Sequence, residues 1–196
     1  MHGHGGHQHT DFDEFYAGGH RWSGNPNEAL ISQVGDLVPG RVLDIGCGEG
    51  ADAVWLAERG WQVTAIDIAE VAVERAREMA GERGVDKHIS FVVSTLDTWL
   101  SDYLGGSFDL ICGFFFPATV HTEQARELAR LLTPGGTLLW VDHDWEGQRP
   151  ERLSPAEMEA LITDLVAETT ISRISRHVTH GAGAHHHEDI ILRAVR

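Results

Sequence analysis

The sequence predicts an α/β protein with a Rossmann-like, doubly wound sheet of seven strands, mostly parallel with an antiparallel last strand. Short apolar segments rich in branched residues alternate with helical segments, a pattern typical of parallel strands joined by crossover helices. Three glycines follow the first of these strands. The last two strand-like segments are separated by only about nine residues, too few for a crossover helix, which predicts an antiparallel pair.

The first half of the chain predicts three strands and three helices. Proline and glycine at 39 and 40 end the first helix, and Gly84 ends the third. In chain order these elements are a helix over 27–38, a strand over 41–46, a helix ending at Gly60, a strand over 62–67, a helix from about Glu70 to Arg83, and a strand over 89–94.

The second half continues the alternation of strands and helices and then ends in two strands with no helix between them. Its elements are a strand over 108–115, a helix over 122–132, a TPGG turn, a strand over 137–142, a helix over 155–167, and strands over 170–178 and 188–195. The close spacing of the final two segments distinguishes this chain from a wholly parallel dinucleotide fold.

Length and composition bound the number of domains and the class of partner. At 196 residues and 42% hydrophobic, the chain predicts one domain over 27–196, preceded by a histidine-rich tail and lid over 1–26. A net charge of −15 opposes binding to nucleic acids or anionic membranes. The sequence contains neither a long apolar run nor a signal peptide, so we expect a cytoplasmic protein with reduced cysteines and no membrane partner. No particular oligomeric state is predicted.

The segment LDIGCGEG (43–50) contains the residues most typical of a ligand site. Gly46, Cys47 and Gly48 form a turn where the backbone approaches a ligand and the N-terminus of a helix offers free N–H groups. Gly46, Gly48 and Ala51 also fit the GxGxxA dinucleotide pattern, with Asp67 about 20 residues further on, so a nicotinamide-dependent oxidoreductase stays an alternative. Asp44 favours a ligand with an ammonium group over a pyrophosphate, because a carboxylate repels the latter.

Taken together, these features resemble the class I S-adenosylmethionine-dependent methyltransferases over roughly residues 20–196. The resemblance implies S-adenosylmethionine as cofactor, with the turn from Asp44 to Gly50 holding its methionine half. It also implies that Asp67 accepts hydrogen bonds from both ribose hydroxyls and that Ile68 packs on the adenine.

The same resemblance places the adenine amino group near the end of the third strand. Thr95 and Leu96 occupy the position that commonly carries an acidic residue, and Asp97 follows two residues after Thr95. Either Thr95 or Asp97 is therefore a candidate for the adenine contact. The segment RWSGNPN (21–27) is similar to a segment that covers the cofactor in a small-molecule subgroup, the tellurite-resistance and thiopurine-type methyltransferases.

Candidate acceptor residues lie after the fourth and fifth strands and in the proposed lid. The segment GFFFP (113–117) lacks the polar residue and double proline of amino-directed nucleic-acid methyltransferases, so we expect Phe114 and Phe115 to line a pocket for a small molecule. Trp22, in the proposed lid, is the candidate for one wall of the active site. His143, just past the fifth strand, is the candidate catalytic residue, with His20 and His121 as alternatives.

Thirteen histidines suggest a further alternative, a non-enzymatic metal-binding protein on a methyltransferase-like scaffold. The N-terminal histidines and those at 185–187 are expected near the same sheet edge, where they would share a zinc, nickel or copper ion and fasten the lid. The competing interpretation is two solvated tracts that bind metal as a purification tag does. We assign no metal ligands from the sequence.

Overall fold

A computed structural model describes residues 6–20, 24–145, 152–175 and 188–196, with side chains from residue 12 onward. Its strands are β1 (Arg41–Ile45), β2 (Gln62–Asp67), β3 (Ile89–Val93), β4 (Phe108–Phe114), β5 (Leu132–His143), β6 (Glu168–Ser175) and β7 (Glu188–Val195). Its helices are α1 (Gly6–Ala17), α2 (Glu28–Val34), α3 (Ala51–Glu58), α4 (Glu70–Glu82), α5 (Leu96–Asp102), α6 (Thr122–Arg130) and α7 (Pro155–Ile162), with a short 3-10 turn at Asp86–His88.

The seven strands form one sheet in the order β3-β2-β1-β4-β5-β7-β6. β7 is antiparallel to both of its neighbours, β5 and β6, while the pairs among β1 to β5 are parallel. This arrangement confirms the predicted fold class. The strand order reverses direction between β1 and β4, and this place is the switch point of the sheet. Sheets of this kind bind ligands in the crevice beyond the carboxyl ends of the two strands at the switch point.

Both faces of the central strands are buried, which explains their nearly continuous apolar sequences. Along β1, Val42 faces a core cluster with residues of α2 and α3, and Leu43 faces a second cluster with residues of α5, α6 and α7. The same alternation places Asp44 on the side of Val42, toward α3. The fold thus buries a carboxylate within an apolar layer at the end of β1.

The structure differs from the predicted elements at α1, α2, α5, α7 and the start of β5. Helix α5 was not predicted, although its buried residues Leu96, Trp99 and Leu100 have helical spacing and Thr95 accepts a hydrogen bond from the Thr98 N–H at its start. Helix α1 lies in the segment expected to be irregular. The TPGG residues form a register irregularity within β5, and α2 and α7 end earlier than predicted.

Helix α1 is held on α4 by a small apolar contact and a guanidinium. Tyr16 is buried against Ala69 and Ala72. Arg75 on α4 donates hydrogen bonds to the carbonyls of Tyr16 and Gly19, both at 2.9 Å. The contact explains why periodicity within the segment did not reveal the helix, since its partner surface is distant in sequence. Within the described ranges, no helix has the length and apolar character that a bilayer span requires.

Gly50, at the start of α3, is predicted to be sensitive to the addition of a side chain. Its φ is +87°, and a Cβ there would lie 2.6 Å from the Cβ of Ala76 on α4. We expect Gly50→Ala to lower the free energy of unfolding by about 2 to 5 kcal/mol, since left-handed strain and overpacking add. Gly84→Ala is the matched control, because φ there is +69° but nothing lies within 4 Å. Equal losses in urea denaturation would contradict the packing explanation.

Candidate functional site

The glycine turn after β1 is anchored to the end of β2. The N–H groups of Gly46 and Cys47 both donate to the carbonyl of Ile66, at 2.8 and 3.0 Å. Gly46 and Gly48 have φ of +72° and +52°, a conformation that glycine adopts without strain. The Cys47 side chain packs in the apolar core, and burial, with Asp67 and Asp44 nearby, raises the pKa of its thiol well above the ordinary value. A protonated, buried thiol is a packing group and not a nucleophile.

Asp67 at the end of β2 is oriented by backbone donors. One carboxylate oxygen accepts the Gly48 N–H at 2.8 Å and the other accepts the Ala69 N–H at 2.9 Å. Burial raises the pKa of Asp67, while the N–H groups of Ala69, Gly48 and Ile68 act in the opposite direction. Each carboxylate oxygen has a second lone pair, so this acceptor can also serve a pair of hydroxyls.

Asp44 carries a buried polar atom that the described protein does not satisfy. The side chain is 2% exposed, and its Oδ2 has no hydrogen-bond partner among the described residues. Burial, and then the negative charges of Asp52 and Asp67, raise the pKa of Asp44 well above its ordinary value. A buried carboxylate without a donor is costly in the ligand-free protein. This site fits a ligand that brings an ammonium group, as the methionine half of S-adenosylmethionine does.

Asp52 and Asn27 form a neighbouring polar contact that sequence reasoning missed. The carboxylate of Asp52, in the first turn of α3, accepts the Asn27 backbone N–H at 2.7 Å and its side-chain amide at 2.6 Å. The segment 21–27, of which residues 24–27 are described, is therefore attached to the helix that follows the glycine turn. Asn27 and Asp52 are 25 residues apart, and no local pattern relates them.

Glu49 connects the glycine turn to the N-terminal helix. Its carboxylate is 5% exposed and lies 2.8 Å from Nη1 of Arg75 and 3.3 Å from Nδ1 of His20. Since Arg75 also holds the end of α1, one guanidinium joins α1, α4 and the turn. The N-terminal residues therefore border the region of the glycine turn and of Asp67.

The residues predicted for the adenine side lie at the carboxyl ends of β2 and β3. Ile68 is half-buried, and Leu96 is buried in the core. The Thr95 hydroxyl caps α5 by accepting the Thr98 N–H at 3.1 Å. The Asp97 carboxylate accepts a hydrogen bond from the Gln124 side chain at 3.0 Å. Both candidates for the adenine contact thus have structural partners already, and the choice between them stays open.

On the other side of the switch point, Phe115 and His143 stack on each other. Their ring centroids are 4.3 Å apart with an angle of 24° between the planes, and Trp145 presents its edge to His143 at 5.6 Å. Nδ1 of His143 lies 2.9 Å from Oδ1 of Asp189, and both side chains are nearly buried. His143 is therefore a packed, oriented imidazole and not a solvated one.

The three consecutive phenylalanines at the end of β4, Phe114 to Phe116, have different surroundings. Phe114 is 8% exposed and packs in the core, whereas Phe115 and Phe116 are half-buried beyond the strand. Phe116, which sequence reasoning did not select, reaches the glycine turn, since a Cβ on Gly46 would lie 2.9 Å from its ring. Alternation along the strand gave no information here, because the backbone leaves β geometry at Phe115, where φ is +52°. Trp22 lies outside the described residues.

The histidine-rich tracts also fall outside the side chains that the structure describes. Residues 1–5 and 176–187 are not described, and the side chains of His7 and His9 are not either. Among the described residues, no group of three or more His, Cys, Asp or Glu side chains has the arrangement of a metal site. The shared-ion hypothesis therefore stays a prediction.

Comparison with known proteins identifies methyltransferases that are similar to much of this chain. Residues 42–136 match the family described as a methyltransferase domain. The chain is 32% identical over 159 residues to the probable thiol methyltransferase 2 of Arabidopsis thaliana, covering 76% of this chain and 69% of that protein. It is also 34% identical over 127 residues to the ribosomal RNA small subunit methyltransferase C of Chromohalobacter salexigens, but that match spans 58% of this chain and only 34% of the relative.

A solved structure with a bound ligand has the same fold. The magnesium protoporphyrin IX methyltransferase of Synechocystis PCC 6803, crystallised with S-adenosylmethionine, superposes with a TM-score of 0.58 at 25% identity. The alignment covers 86% of this chain and 75% of that one. The relatives thus identify S-adenosylmethionine as the cofactor of this chain.

Proposed function

This chain belongs to the class I S-adenosylmethionine-dependent methyltransferases, and we propose that its acceptor is a small, uncharged or weakly charged molecule. The observation that carries the proposal is the arrangement at the switch point. A buried carboxylate and a glycine turn lie at the end of β1, and an aromatic wall with an oriented imidazole lies beyond β4 and β5. Neither the oxidoreductase nor the metal-carrier alternative receives support from the relatives.

We assign the cofactor contacts to residues at the ends of β1 and β2. Asp44 would accept the ammonium, the turn from Gly46 to Gly48 would lie against the methionine half, Asp67 would hold the ribose hydroxyls, and Ile68 would pack on the adenine. When bound, S-adenosylmethionine supplies a methyl group on a sulfonium, whose leaving group is a neutral thioether. The protein must then mainly orient the acceptor, because in-line placement accelerates such a displacement most.

Three observations support a small acceptor. Phe115 and Trp145 flank His143 and offer an apolar surface at which a compact molecule packs. The net charge of −15 repels the phosphate backbone of a nucleic acid. The relative from Arabidopsis thaliana is described as a probable thiol methyltransferase, and a small thiol is an acceptor of the proposed kind. The ribosomal RNA methyltransferase shares only about a third of its own length with this chain.

A screen of acceptors with isotope-labelled S-adenosylmethionine tests the proposal. We expect label transfer to one or more small thiols, hydroxylated aromatics or amines, and none to tRNA, ribosomal RNA or DNA. Salt-sensitive binding of tRNA or DNA at micromolar concentration, or methylation of a nucleic acid, would overturn the assignment of the acceptor.

His143→Ala is predicted to separate chemistry from cofactor binding. We expect turnover to fall by about 10² to 10⁴-fold, the usual contribution of a general acid or base, with little change in affinity for S-adenosylhomocysteine. His88→Ala is the control, because His88 is exposed and lies just before β3, at the opposite end of the sheet. Calorimetry measures the affinity and the labelled assay the turnover. A parallel loss of both quantities would place His143 among the cofactor contacts instead.

A further inference from the structure

We propose that Asp189 is the positioning residue for a His143 base, and that the acceptor therefore enters as a neutral molecule with an ionisable S–H or O–H. An acceptor that is already an anion has no proton for this pair to remove. The inference rests on the proposed function and narrows its substrate class.

The sheet topology brings these two residues together. In the antiparallel pair of β5 and β7, His143 lies directly opposite Asp189. Since β7 runs antiparallel to the other strands, its first residues lie at the edge of the sheet where the parallel strands end. The Asp189 carboxylate therefore lies at the edge where the ligand is expected. The side chains of His143 and Asp189 are 9% and 7% exposed, which protects their hydrogen bond from water.

Two aromatic contacts fix the plane of the imidazole. Phe115 stacks on one face at 4.3 Å and Trp145 meets the ring with its edge at 5.6 Å. Phe115 adopts φ of +52°, a conformation that costs a non-glycine residue roughly 1 to 3 kcal/mol and occurs mainly at functional sites. Its N–H donates to the carbonyl of Val141 at 2.8 Å, which holds the strained residue against β5.

The hydrogen bond to Asp189 selects the tautomer of His143. A carboxylate at Nδ1 favours the form with its proton on Nδ1, which leaves the lone pair of a neutral imidazole on Nε2. During transfer, the acceptor heteroatom bonds to the methyl carbon, the sulfur–carbon bond breaks with its electron pair returning to sulfur, and the acceptor proton passes to Nε2. The resulting imidazolium is stabilised by Asp189 and later releases the proton to water.

The other charged groups near the pair are already matched with one another. Asp142 accepts the His143 backbone N–H and is bound by Arg152, both at 2.9 Å. Arg173 on β6 contacts Asp144 and lies 3.6 Å from Glu188. Because side chains alternate along a strand, the Asp142 side chain lies on the sheet face opposite His143, and Asp189 is the described carboxylate that pairs with the imidazole. The expectation of a neutral acceptor therefore rests on the histidine–aspartate pair itself.

The test uses Asp189→Asn in the full chain with two acceptors, phenylmethanethiol as a neutral thiol and thiocyanate as a soft anion. We expect the wild type to prefer the thiol. At pH 7 the variant should lose about 10- to 100-fold in kcat with the thiol, and the deficit should shrink as the pH passes the pKa of the thiol, because the thiolate needs no base. Glu168→Gln, an exposed carboxylate at the far end of β6, is the matched control.

Nitrogen-15 NMR of the His143 imidazole without any acceptor gives a readout independent of activity. The wild type should show the Nδ1–H tautomer, and Asp189→Asn should shift it toward a mixture, with affinity for S-adenosylhomocysteine retained. A preference for thiocyanate, a deficit that persists at high pH, or an unchanged tautomer would overturn the proposal. Retained cofactor binding with the expected tautomer, but no transfer to any small acceptor, would count against the proposed function and not against the histidine–aspartate pair.

Discussion

Asp67→Ala is expected to weaken the binding of S-adenosylhomocysteine by about 2 to 4 kcal/mol, or roughly 30- to 1000-fold. The loss follows from removing the charged acceptor that we propose for both ribose hydroxyls. The structure adds a second reason, since the same carboxylate accepts the N–H groups of Gly48 and Ala69 and so shapes the glycine turn. Isothermal titration calorimetry measures the affinity directly.

Two further variants separate the causes of that loss. Asp67→Asn keeps the volume and one carbonyl acceptor but removes the charge, so we expect an intermediate affinity. Asp36→Ala changes an exposed carboxylate in the connection after α2 and should leave the affinity unchanged. If a folded Asp67→Ala protein binds S-adenosylhomocysteine as the wild type does, Asp67 is not part of the cofactor site.

The predictable part of this molecule depends on local patterns. Apolar strands separated by helical segments predicted the parallel sheet, and nine residues between the final strands predicted their antiparallel pairing. The glycine turn and Asp67 were identified because close backbone approach and a strand-end carboxylate leave marks within a short window. The structure confirms that the backbone of this turn meets the Asp67 carboxylate.

The remaining features depend on contacts between distant segments. Asp189 contacts His143 only because β7 inserts between β5 and β6 with a particular register, and a shift of one residue would point its side chain to the other face. Helix α1 has its partner in Arg75 and the surface of α4. No periodicity within either segment encodes such partners. The sequence therefore predicted a site at this sheet edge but gave no sign of the contact between Asp189 and His143.

Asp44→Asn is expected to change stability and cofactor affinity in opposite directions. In the ligand-free protein, burial and the charges of Asp52 and Asp67 raise the pKa of Asp44 well above its ordinary value, so the folded state binds this proton more tightly than the unfolded state. As pH rises above about 3.9, the unfolded chain ionises first and the protein loses stability, until Asp44 also ionises in the folded state. At higher pH the cost of the buried carboxylate is complete and constant.

A neutral amide avoids that cost but has no charge to offer an ammonium group. At pH 8 we expect the ligand-free Asp44→Asn protein to gain on the order of 1 kcal/mol in the free energy of unfolding, with the gain disappearing toward pH 4. Its affinity for S-adenosylhomocysteine should fall by about 1.5 to 3 kcal/mol, because a charge-assisted hydrogen bond is lost. Urea denaturation at both pH values and calorimetry give these quantities, with Asp36→Asn as the exposed control. A variant that loses stability and keeps its affinity would show that Asp44 is a structural cap, since only a ligand-binding carboxylate weakens the empty protein while strengthening the complex.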